Sequence, residues 1–117
     1  MVKQYEVVIL PEAQEDIRSI VLYIATDLQA VDAALGLEEA FQQAIRSLNK
    51  MPERYQAVDE EPWHSANVRR MVVENFYVYY WVLKSEPKVE VLTVMYIARD
   101  QREQLERTLK HRGLGRV

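Results

Sequence analysis

The sequence predicts an α+β fold: an N-terminal strand, an antiparallel two-helix hairpin packed on a twisted antiparallel sheet with a three-strand C-terminal meander, and a short C-terminal helix. Three observations carry this reading. Apolar residues recur twice at helical spacing in the first half of the chain. Three segments rich in Val and Tyr follow, separated by connections short enough only for antiparallel hairpins. Pro11, Pro52 and Pro62 punctuate the chain where one kind of element gives way to another.

Lys3 to Ile9 alternates, with Tyr5, Val7 and Ile9 on one side and Glu6 and Val8 on the other, as in a half-buried strand. Pro11 suits the first helical turn, where a missing N–H costs nothing, and Glu12, Glu15 and Asp16 complement the positive end of the helix dipole. Ala13, Ile17, Ile20, Val21 and Ile24 then form one apolar stripe from Pro11 to about Thr26. A second stripe, Ala34, Leu37, Phe41, Ala44, Ile45 and Leu48, predicts a helix from Val31 to Lys50. The link Asp27 to Ala30 is short enough to fold the two back on each other.

Pro52 to Ser65, with two prolines and the run Asp59, Glu60, Glu61, reads as an irregular surface loop. Strands are predicted over Asn67–Val73, Phe76–Leu83 and Val89–Ile97, turning at Glu74–Asn75 and at Ser85–Lys88. From Asp100 to His111 the spacing of Leu105 and Leu109 predicts a final helix ended by Gly113, with a tail over about 103–117. There is no repeat and no linker, so residues 1–117 are read as a single domain.

Composition narrows the chemistry. The 117 residues are 49% hydrophobic, enough for a core without metal or disulfide support, and contain no cysteine. No thiolate nucleophile or Cys-ligated metal is available, and a cytoplasmic setting is expected. The N-terminus has no long apolar run, so neither a signal peptide nor a membrane span is expected. The only histidines, His64 and His111, are far apart, and Gly36, Gly113 and Gly115 form no phosphate-binding loop. Neither metal nor cofactor is therefore expected. Charge is divided unevenly: residues 1–62 carry a net −7 and residues 63–117 a net +4, within a total of −3. Overall acidity argues against direct DNA binding, and the basic half suits contact with a polyanion or an acidic protein.

The candidate surface lies in VRRMVVENFYVYYWV and VEVLTVMYIARD. Arg69 and Arg70 are adjacent on a strand and must point to opposite faces, Arg70 being favoured for a functional role. Strand parity puts Tyr77 and Tyr79 on one face and Phe76 and Tyr80 on the other, and at least half of these rings are expected to be plain core or sheet surface. Rings on an uncovered face beside an arginine could stack on unpaired bases or bind a helix. Arg99 and Asp100 follow the last strand and suit a salt bridge or a helix cap.

With PEAQEDIRSIVLYIA opening the first helix, LNKMPERY closing the second, and those two strand motifs behind them, the chain from about Tyr5 to Arg102 resembles the RelE/ParE superfamily of toxins from bacterial type II toxin-antitoxin modules. The resemblance implies a cognate antitoxin and one of two activities that the fold does not separate: ParE-like binding to DNA gyrase, or RelE-like ribosome-dependent cleavage of mRNA. Cleavage needs a base for the ribose 2′-OH, an acid for the leaving oxygen and a cation for phosphate charge. By resemblance, Arg70 matches the superfamily's arginine on the second strand and Tyr80 a frequent tyrosine on the third. A nuclease would use Arg70, Tyr96 and Arg99. A binding toxin would present Arg69, Arg70, Tyr77, Tyr79, Tyr80 and Arg99. Where many members have histidine, this chain has Tyr96, and a phenol titrating near ~10 in water is a poor base at neutral pH. The sequence therefore favours the ParE-like branch, with a non-toxic binding relative as a third reading.

Overall fold

The computed structural model describes residues 3–97. Strand β1 (Glu6–Ile9) leads into helix α1 (Pro11–Leu22), which widens into a π-helical turn over Tyr23–Asp27 before helix α2 (Val31–Arg46). Short 3-10 turns at Ser47–Asn49 and Pro52–Arg54 follow, then β2 (Val68–Val73), β3 (Phe76–Leu83) and β4 (Lys88–Tyr96). The predicted C-terminal helix and tail lie outside the described residues, as does Arg99.

The first helix ends as it does for a chemical reason. Thr26 turns its hydroxyl back to the Leu22 carbonyl at 2.6 Å, the acceptor its own amide would use in an α-helix. The ladder shifts to the wider pattern, with the Leu28 amide donating to the Tyr23 carbonyl at 3.2 Å. Gln29 then takes a positive φ of 52° and reverses the chain.

The sheet order is β1-β4-β3-β2. The meander β2-β3-β4 is antiparallel throughout, whereas β1 joins β4 parallel, with Glu6 opposite Lys88 and Ile9 opposite Val91. The sheet is thus mixed rather than wholly antiparallel. The chain travels through both helices and two strands between β1 and β4, so no hairpin constrains their relative direction.

Both faces of the sheet are covered. One carries the main core, where Ala13 and Ile17 of α1 and Leu37, Phe41 and Ile45 of α2 meet Met71, Val78, Tyr80, Val82, Val91 and Val94. The other carries a smaller core of Leu10, Trp63, Val68, Tyr79, Leu92 and Met95. Its presence corrects the reading of 52–65 as loop alone. Trp63 is buried, and Gln56 to Val58 runs beside β2, with the Arg70 amide donating to the Gln56 carbonyl and the Val58 amide to the Val68 carbonyl.

Candidate functional site

The cross-strand register fixes where each candidate side chain goes. Val68 faces Trp81, Arg70 faces Tyr79 and Val72 faces Tyr77. These pairs share the face turned away from the helices, because Val68, Tyr77, Tyr79 and Trp81 all belong to or pack against the smaller core that holds Trp63. Arg69 faces Tyr80 and Met71 faces Val78, on the helix side.

Arg70, Tyr77 and Tyr79 form one cluster. The Arg70 guanidinium lies 4.5 Å from the centre of the Tyr77 ring, and the Tyr77 and Tyr79 rings meet edge to face at 5.9 Å. Burial pushes the Tyr79 hydroxyl above the usual phenol range, opposed by its hydrogen bond with Arg70. Arg70 is therefore a cation held on an aromatic support, half-buried and aimed by its neighbours. Val72, 60% exposed on the same face, continues the patch to the sheet edge. Its backbone groups point outward, since Met71 and Val73 face β3 in the hydrogen-bonded positions of the two-residue hairpin.

Arg69 has a structural task instead. It donates to the Glu53 carbonyl at 3.0 Å, the Tyr55 carbonyl at 2.8 Å and the Asn67 side-chain oxygen at 3.1 Å, with the Glu53 carboxylate 3.6 Å away. It ties the segment after α2 to the start of β2. Glu53 also meets Lys84 at 3.2 Å. Partial burial opposes ionisation there, but the Asn67 hydrogen bond with Lys84 and Arg69 holds the Glu53 carboxyl below its ordinary range.

Tyr80, proposed as a contact residue, is fully buried in the main core, where its hydroxyl donates to the Pro52 carbonyl at 2.6 Å. Burial raises its pKa far above the ordinary phenol value. It has no surface to offer a partner. Tyr96 is 47% exposed and leans on Phe76, with ring centres 5.6 Å apart, on the helix side of the sheet. Arg70 and Tyr96 therefore sit on opposite faces, and their cross-strand rows, Arg70–Tyr79–Thr93 and Val73–Phe76–Tyr96, are three residues apart.

A carboxylate that sequence reasoning treated only as a dipole partner has a larger part. Past Leu10, whose amide still donates to the Val91 carbonyl at 3.1 Å, the chain no longer pairs with β4 and Asp16 of α1 takes over: its Oδ2 accepts from the Val94 amide at 3.0 Å and the Thr93 hydroxyl at 2.7 Å. Burial raises its pKa despite these two bonds. The register of β4 slips at this place, between Tyr79 and Tyr80, leaving Leu92 as the extra residue of a bulge. The only foresight available was the acidic residue one turn into α1, which could not disclose an unpaired strand edge. Among the described residues, no three His, Asp or Glu side chains are grouped to hold a metal ion. No helix among them is long and apolar enough to cross a membrane.

Two helices on a four-strand mixed sheet define the class: this is the fold of solved RelE and ParE toxin structures. It superposes on the chromosomal ParDE system from P. aeruginosa with a TM-score of 0.66 at 15% identity, covering 81% of this chain and 98% of that one. A free-state RelE toxin mutant from E. coli gives 0.63 at 12% identity, covering 92% and 97% respectively. The RelBE2 toxin-antitoxin complex from Mycobacterium tuberculosis gives 0.52 at 16%, covering 82% and 94%. No curated protein sequence matches significantly. The profile of the ParE toxin of the type II toxin-antitoxin system parDE matches residues 7–101, and the chain belongs to that family.

Proposed function

We propose that this protein is the toxin of a type II toxin-antitoxin module that acts in the cytoplasm by binding rather than by cutting, with DNA gyrase as its target. A cognate antitoxin encoded beside it neutralises it through a segment that folds onto the toxin surface. The observation that carries the reading is the separation of Arg70 and Tyr96 onto opposite faces of the sheet. In-line cleavage of RNA needs a proton-transfer group and a phosphate-binding cation converging on one scissile bond. Arg70, Tyr77 and exposed Val72 instead make a cationic and aromatic patch beside a sheet edge, suited to a protein partner. Family membership and the likeness to ParDE support the toxin and antitoxin parts of this reading.

The test is induced expression with supercoiling and message integrity read in parallel, joined to a purified gyrase assay. Supercoiling is expected to fall while transcripts stay whole, and Arg70→Ala to relieve the block. Normal supercoiling at saturating protein, with transcripts cut in a ribosome-dependent manner, would replace the proposal with the RelE-like activity.

A further inference from the structure

We infer that the hollow between the residues leading into β1 and the turn after α2 is a docking pocket for an acidic peptide segment of a partner protein, anchored by one aromatic side chain. Its volume is about 390 Å³, and Lys3, Tyr5, Met51, Pro52, Glu53 and Arg54 line it. Backbone bonds hold its two walls together: Gln4 pairs antiparallel with Lys50, and the Tyr5 amide donates to the Asn49 carbonyl at 2.8 Å. Arg54 braces the turn, donating to the Lys50 carbonyl at 2.6 Å, the Met51 carbonyl at 3.1 Å and the Ser47 hydroxyl at 3.0 Å. A pocket fixed in this way needs little ordering when it is filled. Met51 has no task in the core that would account for it. It takes φ of 50°, a left-handed conformation in which glycine would be less strained, and leaves its side chain 60% exposed. Beside Tyr5 and Pro52, its thioether supplies a soft apolar surface that moulds to a ring.

Charge selects the occupant. Glu53 is already matched, with Lys84 at 3.2 Å and Arg69 at 3.6 Å. Among the described residues no ion pair joins Lys3, Lys50 or Arg54 to a carboxylate, and all three are exposed. The Lys3 ammonium lies 5.5 Å from the centre of the Tyr5 ring and donates to the Lys84 carbonyl at 3.4 Å. The rim is thus cationic around an apolar floor, a pattern that carboxylates flanking a buried ring complement. A continuous phosphate backbone suits it less. Glu6 follows Tyr5, Glu86 adjoins the Pro87 whose carbonyl accepts from the Glu6 amide, both are exposed, and the whole chain carries −3. A short peptide seated in the pocket avoids them. Tyr5 packs on the helix side of the sheet and Arg70 lies on the other, so this inference stands or falls independently of the gyrase reading.

The experiment titrates the full chain, isotopically labelled, with a short synthetic Asp/Glu peptide carrying one central tryptophan, with the same peptide carrying alanine there, and with a Lys/Arg peptide around the same tryptophan. The acidic tryptophan peptide is expected to saturate, with amide shifts concentrated in residues 3–6 and 49–55. The alanine peptide should bind about tenfold more weakly, and the Lys/Arg peptide should leave the spectrum unchanged. Lys3→Glu with Lys50→Glu should weaken binding about tenfold at low salt. Met51→Gly should weaken it at all salt concentrations without lowering the melting temperature, a combination that a merely structural role for Met51 excludes. Failure of the acidic peptide to saturate, equal binding of the three peptides, or tighter binding of an oligothymidylate overturns the inference. So do shifts concentrated on β2 and β3 or after Ile97, and so does a Met51→Gly variant that binds like the wild type or melts earlier.

Discussion

Arg69 and Arg70 are neighbours with opposite obligations, and substitution should separate them. Removing the Arg69 side chain leaves the Glu53 and Tyr55 carbonyls without their donor in a half-buried place, so Arg69→Ala should cost about 2–3 kcal/mol in a denaturant melt. Arg69→Lys should recover only part of this, because one ammonium cannot span the same acceptors. Arg70→Ala removes a cation–π contact worth about 0.5–1 kcal/mol and should leave the fold intact while abolishing growth inhibition. A variant that loses stability as severely as Arg69→Ala would show Arg70 to be structural too. Two carboxylates give pH dependences of opposite sign. Asp16 has its pKa raised above 3.8, so the native state binds its proton more tightly than the unfolded chain. Its contribution is present below that value and is lost as pH rises through the native pKa. The stability of the wild type relative to Asp16→Asn should therefore decline over that window and level off above it. Glu53, held below 4.5, contributes above the unfolded value and loses its contribution as pH falls through the native one. Wild type relative to Glu53→Gln should accordingly gain stability with rising pH. Unfolding curves at several pH values check both, and a shared sign would refute the assignment.

At the scale of elements, the hairpin between β2 and β3 turns on Glu74, which adopts φ of 56° while Asn75 is not among the positive-φ residues. A two-residue loop of that pattern favours glycine in its first place, so Glu74→Gly should raise stability by about 0.5–1 kcal/mol in thermal or denaturant unfolding. Loss of stability would mean that the Glu74 side chain makes a contribution of its own. That turn was legible in the sequence because two alternating runs left only Glu74 and Asn75 between them. So were both helices, since their stripes of Ile and Leu end where Thr26 and Pro52 interrupt them, and so was the division of Phe76 and Tyr80 from Tyr77 and Tyr79, which strand parity dictates. The parallel entry of β1 was not legible, because pairing between the two ends of a chain leaves no local signal. Nor was the burial of Tyr80: parity gives a side chain its face but not the depth of what covers it. Trp63 hid in a segment whose prolines and acids read as surface, and only the tertiary fold brings it to the sheet. For the candidate site, the sequence picked out Arg70 and Tyr77 but could not reveal that Tyr96 faces the other way, since that depends on the register slip in β4.

At the scale of the whole molecule, the described residues form one sheet between two unequal cores, and the inequality should appear in how the protein unfolds. The helix side joins α1 and α2 to all four strands, so its loss is the loss of the fold. Among the described residues, the far side beyond Val8 and Leu10 depends on one loop, with Trp63 as its anchor and three backbone hydrogen bonds to β2. Cutting back a buried tryptophan costs about 3–5 kcal/mol, but here the loop can lift away while the sheet keeps its helix-facing contacts. Trp63→Ala should therefore produce local opening. Amide exchange should quicken at Val58 and Arg70, whose partners lie across the loop and β2, while Val78 and Val91 beneath the helices remain protected. Because the same loop helps bury Tyr79, its release should free the Arg70 cluster from one of its supports and weaken target inhibition without unfolding the domain. Phe41→Ala, on the other side, should accelerate exchange everywhere together. Uniform acceleration in both variants would mean that the two cores form a single cooperative unit, and that the far face gains no independence from being held by one loop.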